Sequence, residues 1–155
     1  MQTHAELSEC RKYRYALWRT WDDSKKKVMF IGLNPATADE IEGDRTIARC
    51  ISYAKQWGYG GIIVGNLFAF RTASPEEMKS ASDPVGKDND AWLVRLKDEA
   101  DLVVAMWGNH GSHLNRYVQV KKLFPTLKCF RITGAGQPHH TRGLPNGIKP
   151  VPYNC

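Results

Sequence analysis

The sequence predicts an α/β fold with a central, mainly parallel sheet of about four strands. Four apolar segments of strand length alternate with segments whose apolar residues recur at helical spacing. Strands that alternate with helices are joined by right-handed crossovers and build a parallel sheet. The predicted order is β, α, β, α, α, β, α, β, which corresponds to a three-layer α/β/α arrangement.

The four predicted core strands are nearly continuous apolar runs, as expected for strands buried on both faces. They cover residues 28–33, 62–68, 102–106 and 127–132. Before them, residues 13–21 alternate aromatic or apolar residues with basic ones, which suits an edge strand. We therefore expect residues 1–22 to form an N-terminal arm or edge strand, and residues 144–155 to form a C-terminal tail.

Capping residues indicate where the helices begin. Asp44 precedes apolar residues at helical spacing and predicts an N-cap, and Gly58 predicts the end of that helix. Residues 74–77, Ser-Pro-Glu-Glu, have the form of a capping box. Further helices are predicted near 88–99 and 111–124. In the last helix the residues expected to face inward are Leu114, Tyr117, Val118 and Leu123.

Length and composition set the broad class. A chain of 155 residues with 42% hydrophobic residues predicts one compact domain, 1–155, with one site, and we expect a monomer. The net charge of +6 is spread along the chain. This charge permits a polyanionic partner such as DNA or a nucleotide, although scattered surface lysine is the commoner cause of a mild excess.

The cysteine pattern argues against a metal site. Cys10, Cys50, Cys129 and Cys155 are far apart and include no Cys-x-x-Cys pair, so we expect reduced thiols, no metal and no cofactor. An iron–sulfur cluster built from these distant residues is the less favoured alternative. The sequence shows no leading signal peptide and no membrane-spanning apolar segment, so we expect a cytoplasmic protein without a membrane partner.

Polar side chains follow all four predicted core strands. Asn34 ends the first strand, Asn66 lies in the second, residues 107–110 (Trp-Gly-Asn-His) follow the third, and His139 and His140 follow the fourth. Each residue also has an ordinary structural interpretation, such as a turn or a satisfied buried amide. Because open α/β sheets bind ligands at the carboxyl ends of their strands, the four ends together predict one pocket.

These motifs resemble two families. Gly32-Leu33-Asn34-Pro35, a strand containing Asn66, Trp107-Gly108 and a final histidine loop occur in the order seen in the uracil-DNA glycosylase superfamily. From about residue 10 to residue 144 the chain more specifically resembles the DUF1643 family, an uncharacterised bacterial and phage domain family. Its motifs are matched by Asn34-Pro35-Ala36-Thr37-Ala38-Asp39, Asn66-Leu67-Phe68-Ala69, Asp83-Pro84-Val85-Gly86, Asn89-Asp90-Ala91-Trp92 and Trp107-Gly108-Asn109-His110-Gly111.

The glycosylase resemblance implies an N-glycosidic-bond hydrolase that acts on uracil or a modified pyrimidine flipped out of DNA. Asn34 would hold the attacking water, and His140 would stabilise the charge that develops on the departing base. Asn66 would read the Watson–Crick edge with both its C=O and its NH₂. The other residues implied in base binding are Phe68 or Phe70 as a stacking platform, with Trp107, Gly32 and Pro35.

The same resemblance implies contacts to phosphates, which position a nucleic acid without reading its sequence. The residues assigned to phosphate or nucleic-acid binding are Arg71, His110, His139, Arg142 and Lys149.

Departures from the glycosylase pattern leave alternatives open. Ala36 stands where glycine often follows Asn-Pro, the final loop lacks His-Pro-Ser, and Leu144 is the one candidate for a wedge between bases. A non-catalytic nucleotide or nucleic-acid binding module is one alternative. Another is a different enzyme acting on a base or nucleotide, with its acid or base supplied by Asp39, Asp44, Asp88 or Asp90; for Asp44 and Asp88, helix capping is the favoured role.

Overall fold

A computed structural model of the protein describes residues 1–153 and has a mixed α/β fold. Within this range seven strands form one sheet in the order β1-β2-β4-β3-β5-β6-β7. The strands are β1 (Gln2–Leu7), β2 (Arg14–Thr20), β3 (Lys27–Gly32), β4 (Gly61–Asn66), β5 (Leu102–Ala105), β6 (Lys128–Cys129) and β7 (Val151–Pro152). The helices are α1 (Arg45–Gln56), α2 (Pro75–Ser80), α3 (Asn89–Lys97) and α4 (Arg116–Leu123), and a 3-10 segment (Asn109–Asn115) precedes α4.

Four neighbouring strands, β4, β3, β5 and β6, run parallel and form the centre of the sheet, as the sequence predicts. Their register places Gly32 beside Asn66 and Ile31 beside Ala105. The strands β3, β4 and β5 therefore end at the same level. Because all three strands run in the same direction, the loops that follow them leave the sheet at the same end, the carboxyl end of the strands.

The two sides of the sheet differ from the prediction. Strands β1 and β2 form an antiparallel hairpin, and β2 also pairs with β4 inside the sheet. The predicted edge strand is therefore an interior strand, and β1 is the edge. The strand β1 is not apparent from the sequence because its first residues, Gln2, Thr3 and His4, are polar and exposed. At the other side β7 pairs with β6, so the predicted tail also contributes a strand.

Capping side chains begin two helices as predicted. Asp44 Oδ1 accepts a hydrogen bond from the backbone N–H of Ile47 at 2.9 Å and caps α1. Ser74 Oγ accepts one from the backbone N–H of Glu77 at 3.2 Å and caps α2. Asp88 precedes α3 but makes no side-chain capping bond, so its expected capping role is wrong.

The helix predicted over 111–124 is shorter than expected. Helix α4 begins at Arg116, and the 3-10 segment before it is kinked at His113 and Leu114, where φ of Leu114 is +55°. Leu114 is 63% exposed and Val118 is also exposed, so the prediction that both face the core is wrong. The kink breaks the helical spacing, and residues on either side of it no longer share a face.

Alternate residues of β3 enter two separate hydrophobic clusters. Met29 and Ile31 belong to a cluster that includes Leu93 and Leu96 of α3, whereas Val28 and Phe30 belong to the cluster built around α1. Successive side chains of a strand point to opposite faces of a sheet. The two clusters therefore lie on opposite faces of the sheet, and each packs helices against the strands.

Candidate functional site

One cavity of about 490 Å³ opens where β3, β4 and β5 end. Its volume lies within the range of small-molecule sites. The loop that follows β6 also reaches it. The cavity is lined by these predicted site residues: Gly32, Asn34, Pro35, Asn66, Trp107, His110, His139, His140 and Arg142.

The side chain of Asn34 has a defined orientation at the cavity wall. Its Nδ2 donates to the carbonyl oxygens of Thr72 at 2.8 Å, Pro35 at 3.3 Å and Phe70 at 3.4 Å. Three acceptors around one atom identify that atom as the amide nitrogen. No donor among residues 1–153 bonds to Oδ1 of Asn34. Oδ1 is therefore the atom of this side chain that a water or ligand can use.

Asn66, at the end of β4, offers its amide nitrogen to the cavity. Its Oδ1 accepts a hydrogen bond from Nη2 of Arg14 at 3.3 Å, and a guanidinium can only donate, so the amide orientation is set. Its Nδ2 has no acceptor within the described part of the chain. Arg14 uses one of the two lone pairs of Oδ1, and the expectation that C=O and NH₂ both read a base edge stays a prediction.

Gly32 leaves the room that the Asn66 side chain occupies. A Cβ atom at position 32 would lie 2.9 Å from Nδ2 of Asn66 and 3.5 Å from Cε of Met106. The first distance is closer than van der Waals contact allows. Any larger residue at position 32 must therefore displace the Asn66 amide.

Arg14 lines the same cavity and was not among the predicted site residues. It is 2% exposed and donates from Nη1 to the carbonyl of Ala38 at 3.0 Å, whereas its buried Nε has no acceptor among the described residues. Burial lowers the pKa of Arg14 to about 10, and the Asp44 carboxylate acts in the opposite direction. The guanidinium therefore stays charged at neutral pH.

The sequence does contain a signal for Arg14. It stands between Tyr13 and Tyr15 in the segment predicted as an edge strand, where a basic residue is expected to face solvent. In the structure β2 lies inside the sheet, and the side chain of Arg14 is buried where it lines the cavity. An arginine flanked by two tyrosines is the local pattern that accompanies this burial.

His140 presents a neutral imidazole with its proton on Nε2. Its Nδ1 accepts a hydrogen bond from the backbone N–H of Arg142 at 3.0 Å, which leaves Nε2 as the protonated nitrogen. Burial, with smaller effects from the charges of Arg142 and His139, lowers the pKa of His140 below its usual 6.5. At neutral pH the ring therefore offers one N–H donor.

The histidine loop is tied to the end of β5. The backbone N–H of Gly108 donates to the carbonyl of Pro138 at 2.8 Å, and Nε1 of Trp107 donates to Oε1 of Gln137 at 2.9 Å. Trp107 is buried, so its indole both lines the cavity and anchors the loop. These bonds hold His140 opposite the ends of β3 and β4.

At the mouth of the cavity, His110 and Arg142 are exposed and His139 is half-buried. These side chains can meet the part of a ligand that extends beyond the cavity. Leu144, considered above as a wedge, is buried instead of projecting from the surface. It is therefore not placed to enter a base stack.

Four predicted site residues lie outside the cavity. Phe68 is fully buried in the core with its ring 5.6 Å from that of His113, so it cannot stack on a base, and that assignment is corrected. The physical reason is that β4 ends at Asn66 and the chain then turns into the core. Phe70 and Arg71 line a separate shallow groove, and Lys149 is exposed in the C-terminal segment.

The four aspartates considered as an alternative acid or base differ in their location and in their partners. Among them Asp44 alone lines the cavity, where it also caps α1. Asp39 accepts two backbone hydrogen bonds in its own loop, and Asp90 forms an ion pair with the buried Arg116 at 2.6 Å. Asp88 lines a different surface pocket.

Residues 1–153 include neither a metal-ligand cluster nor a membrane-spanning helix. This range contains no group of three or more His, Cys, Asp or Glu side chains that could hold a metal ion. Cys50 is buried, Cys10 is exposed, and neither forms a disulfide, while Cys155 lies outside the described residues. None of the helices in this range has the length and apolar character required to cross a membrane.

Nearly all of the cavity lining comes from one family-specific stretch of the chain. The family model of DUF1643, a protein of unknown function, matches residues 14–141. The chain belongs to the DUF1643 family. No curated protein and no solved structure matches the chain. The DUF1643 region begins at Arg14 and includes Asn34, Asn66 and His140, whereas Arg142 and Lys149 follow it.

Proposed function

We propose that the protein is a DNA base N-glycosylase-like hydrolase that accepts uracil or a modified pyrimidine in the cavity. One observation carries the proposal: Asn34, Asn66 and His140 follow three different strands and line one cavity of about 490 Å³. We further propose that the fold is a three-layer, uracil-DNA glycosylase-like arrangement. The separate clusters of α1 and of α3 on the two sheet faces support it.

In the proposed reaction, Asn34 positions the attacking water. Oδ1 accepts a hydrogen bond from the water, whose oxygen forms a bond to C1′ of the sugar while the bond from C1′ to the base breaks. The bonding electron pair leaves with the base, which then takes up the proton that the water releases. An amide orients water without acting as a strong base, which suits a sugar that already carries positive charge.

His140 and Asn66 act on the departing base. The Nε2–H of His140 donates to O2, where negative charge develops, and one such donor stabilises a transition state by about 3 kcal/mol. Nδ2 of Asn66 donates to O4, which favours a 4-oxo over a 4-amino pyrimidine. The apolar side chains of Leu33, Ile47 and Met106 supply walls for the ring.

DNA is the proposed partner, engaged by a single copy of the protein. His110, His139 and Arg142 at the cavity mouth would contact the phosphates on either side of the flipped nucleotide. The groove that holds Arg71 continues from Ala36, which lies at the cavity, and extends the basic surface. A net charge of +6 favours association with a polyanion.

The test is base release from single-stranded and duplex oligonucleotides that carry uracil or one modified pyrimidine at a single position. Abasic sites are scored by strand cleavage in alkali, with the same oligonucleotides carrying thymine as the control. The proposal predicts abasic sites with at least one modified base and none with the control. Tight binding of DNA or nucleotides with no base release would instead indicate a non-catalytic binding module.

A second candidate function is favoured by Asp44. Its carboxylate lines the cavity together with Arg14 and His140, so an acid or base is present in addition to the amides. This arrangement suits another enzyme that acts on a modified base or nucleotide. The Asp44→Asn variant discussed below distinguishes the two candidates.

A further inference from the structure

Arg14 is a buried cation without a carboxylate partner. Its side chain is 2% exposed at the cavity, and none of the ion pairs in residues 1–153 includes it. It donates to two uncharged oxygens, the Ala38 carbonyl and Oδ1 of Asn66, and its Nε has no acceptor in that range. A buried charge of this kind is costly unless it is paired.

Another buried arginine in the same protein shows what a structural role looks like. Arg116 is 1% exposed and lines no part of the cavity. Its Nε donates to the carbonyl of Leu67, its Nη1 to Gln119 and its Nη2 to the carboxylate of Asp90 at 2.6 Å. All three nitrogens of Arg116 are used by the protein. Arg14 differs because its Nε is unused and no carboxylate among the described residues lies within ion-pair distance of its guanidinium.

The Asn66 amide beside Arg14 adds a second donor to this part of the cavity. Nδ2 of Asn66 lies at the same end of the cavity and has no protein acceptor among the described residues. The Asp44 carboxylate, the one acidic side chain in the cavity lining, accepts hydrogen bonds from the backbone N–H groups of Ile47 and Ala38. The surface formed by Arg14 and Asn66 therefore matches a group that only accepts hydrogen bonds and carries negative charge.

We infer that Arg14 and Nδ2 of Asn66 form an anion-binding floor of the cavity, which takes a carboxylate or phosphate oxygen of the ligand. This inference rests on the proposed function, because the proposed function identifies the rest of the ligand as a pyrimidine. It names the substrate class as a pyrimidine that carries an anionic oxygen group. The anion sits either on the base or on a nucleotide phosphate, and the two sources are separable by experiment.

The experiment is isothermal titration calorimetry with four probes: uracil, 5-carboxyuracil, 2′-deoxyuridine 5′-monophosphate and inorganic phosphate. The wild type should bind 5-carboxyuracil about tenfold or more tightly than uracil, as expected for a hydrogen bond between two charged groups. Arg14→Gln should reduce this ratio of affinities to about one; the ratio is the readout, because loss of the bond to Oδ1 of Asn66 also changes the amide that contacts uracil. The control is Arg95→Gln, which removes the same charge from the exposed surface of α3 and should change neither affinity.

A phosphate source would appear as Arg14-dependent binding of the monophosphate and of inorganic phosphate, with 5-carboxyuracil no better than uracil. Either pattern supports the anion-binding floor. Equal affinity of the wild type and Arg14→Gln for every anionic probe would overturn it, as would a wild type that binds none of them.

Two further measurements keep the result interpretable. Glutamine at position 14 keeps an uncharged amide donor in place of the guanidinium, and thermal unfolding should show that the variant folds. Asn66→Asp places a carboxylate beside Arg14 and should reduce anion affinity without loss of folding. If anions bind through Arg14 but no oligonucleotide releases a base, the glycosylase activity is refuted and the anion-binding floor stands.

Discussion

Nη2 of Arg14 donates to Oδ1 of Asn66 over 3.3 Å, and this bond determines which end of the Asn66 amide is available to a ligand. Arg14 belongs to β2 and Asn66 ends β4, so two neighbouring strands build this part of the site. The N-terminal hairpin therefore contributes a side chain to the candidate site.

Asn66→Asp should change the preference between bases. A carboxylate accepts hydrogen bonds but does not donate them, so the variant should lose contact with O4 and gain contact with a 4-amino group. Pairing of the new charge with Arg14 should preserve the fold. The measurement is the ratio of single-turnover base release from matched 4-oxo and 4-amino pyrimidine oligonucleotides. Equal loss on both substrates, with an unchanged ratio, would argue against base reading by Asn66.

Gly32→Ala should disturb the site through Asn66. The added methyl group would lie 2.9 Å from Nδ2 of Asn66, so the amide must move away from its position at the cavity. We expect the affinity for 5-carboxyuracil to fall by about tenfold, because the anion loses its hydrogen bond from Nδ2 of Asn66 and a bond to a charged group usually contributes that much. Gly43→Ala is the control, because a Cβ there meets no atom within 4 Å. Equal affinities of the two variants would contradict the role assigned to Gly32.

His140 should make the protein less stable in acid. Because burial lowers the pKa of His140 in the folded state, the unfolded chain binds more protons as the pH falls below the ordinary value of 6.5. Stability should therefore decrease as the pH falls below about 6.5, and base release should decrease with it as Nδ1 becomes protonated. Thermal unfolding at a series of pH values checks this. His140→Asn should show a smaller decrease, and a decrease equal to that of the wild type would assign the effect to other groups.

Asp44→Asn separates the two candidate enzymes. Asparagine caps helices about as well as aspartate, so α1 should keep its N-terminus. If Asp44 is the acid or base, turnover should fall by about 10²-fold or more. The glycosylase proposal predicts a change of less than about tenfold, because Asp44 acts there only through its charge. Single-turnover rates, with circular dichroism to confirm folding, decide between them.

The strand ends could be predicted from the sequence because local patterns define them. An apolar run that stops at Asn34-Pro35 must end a strand there, and parallel strands bring such ends to one edge. Asn34, Asn66 and His140 were placed on the strand ends by that reasoning alone. The positions of Trp107 and His139 follow from the same pattern.

Contacts between distant segments could not be predicted in this way. The place of β2 inside the sheet depends on its pairing with β1, and the polar sequence of β1 gives little sign of a strand. The burial of Phe68 depends on the turn that follows β4. The kink at Leu114 likewise reflects a local backbone conformation that apolar spacing does not reveal.

Single-turnover base release by Asn34→Ala is the most direct test of the proposed site. In the wild type no donor within the described residues bonds to Oδ1 of Asn34, while its Nδ2 donates to the carbonyl of Thr72 at 2.8 Å. The control is Asn146→Ala, which removes an exposed amide bonded to Arg49. Thermal unfolding of both variants measures any loss of structure.

On the best oligonucleotide substrate, Asn34→Ala should release the base about 10²-fold or more slowly than the wild type, with DNA affinity nearly intact, because water positioning acts in the transition state. Asn146→Ala should match the wild type. Unchanged base release in a folded Asn34→Ala variant would contradict the account of the site.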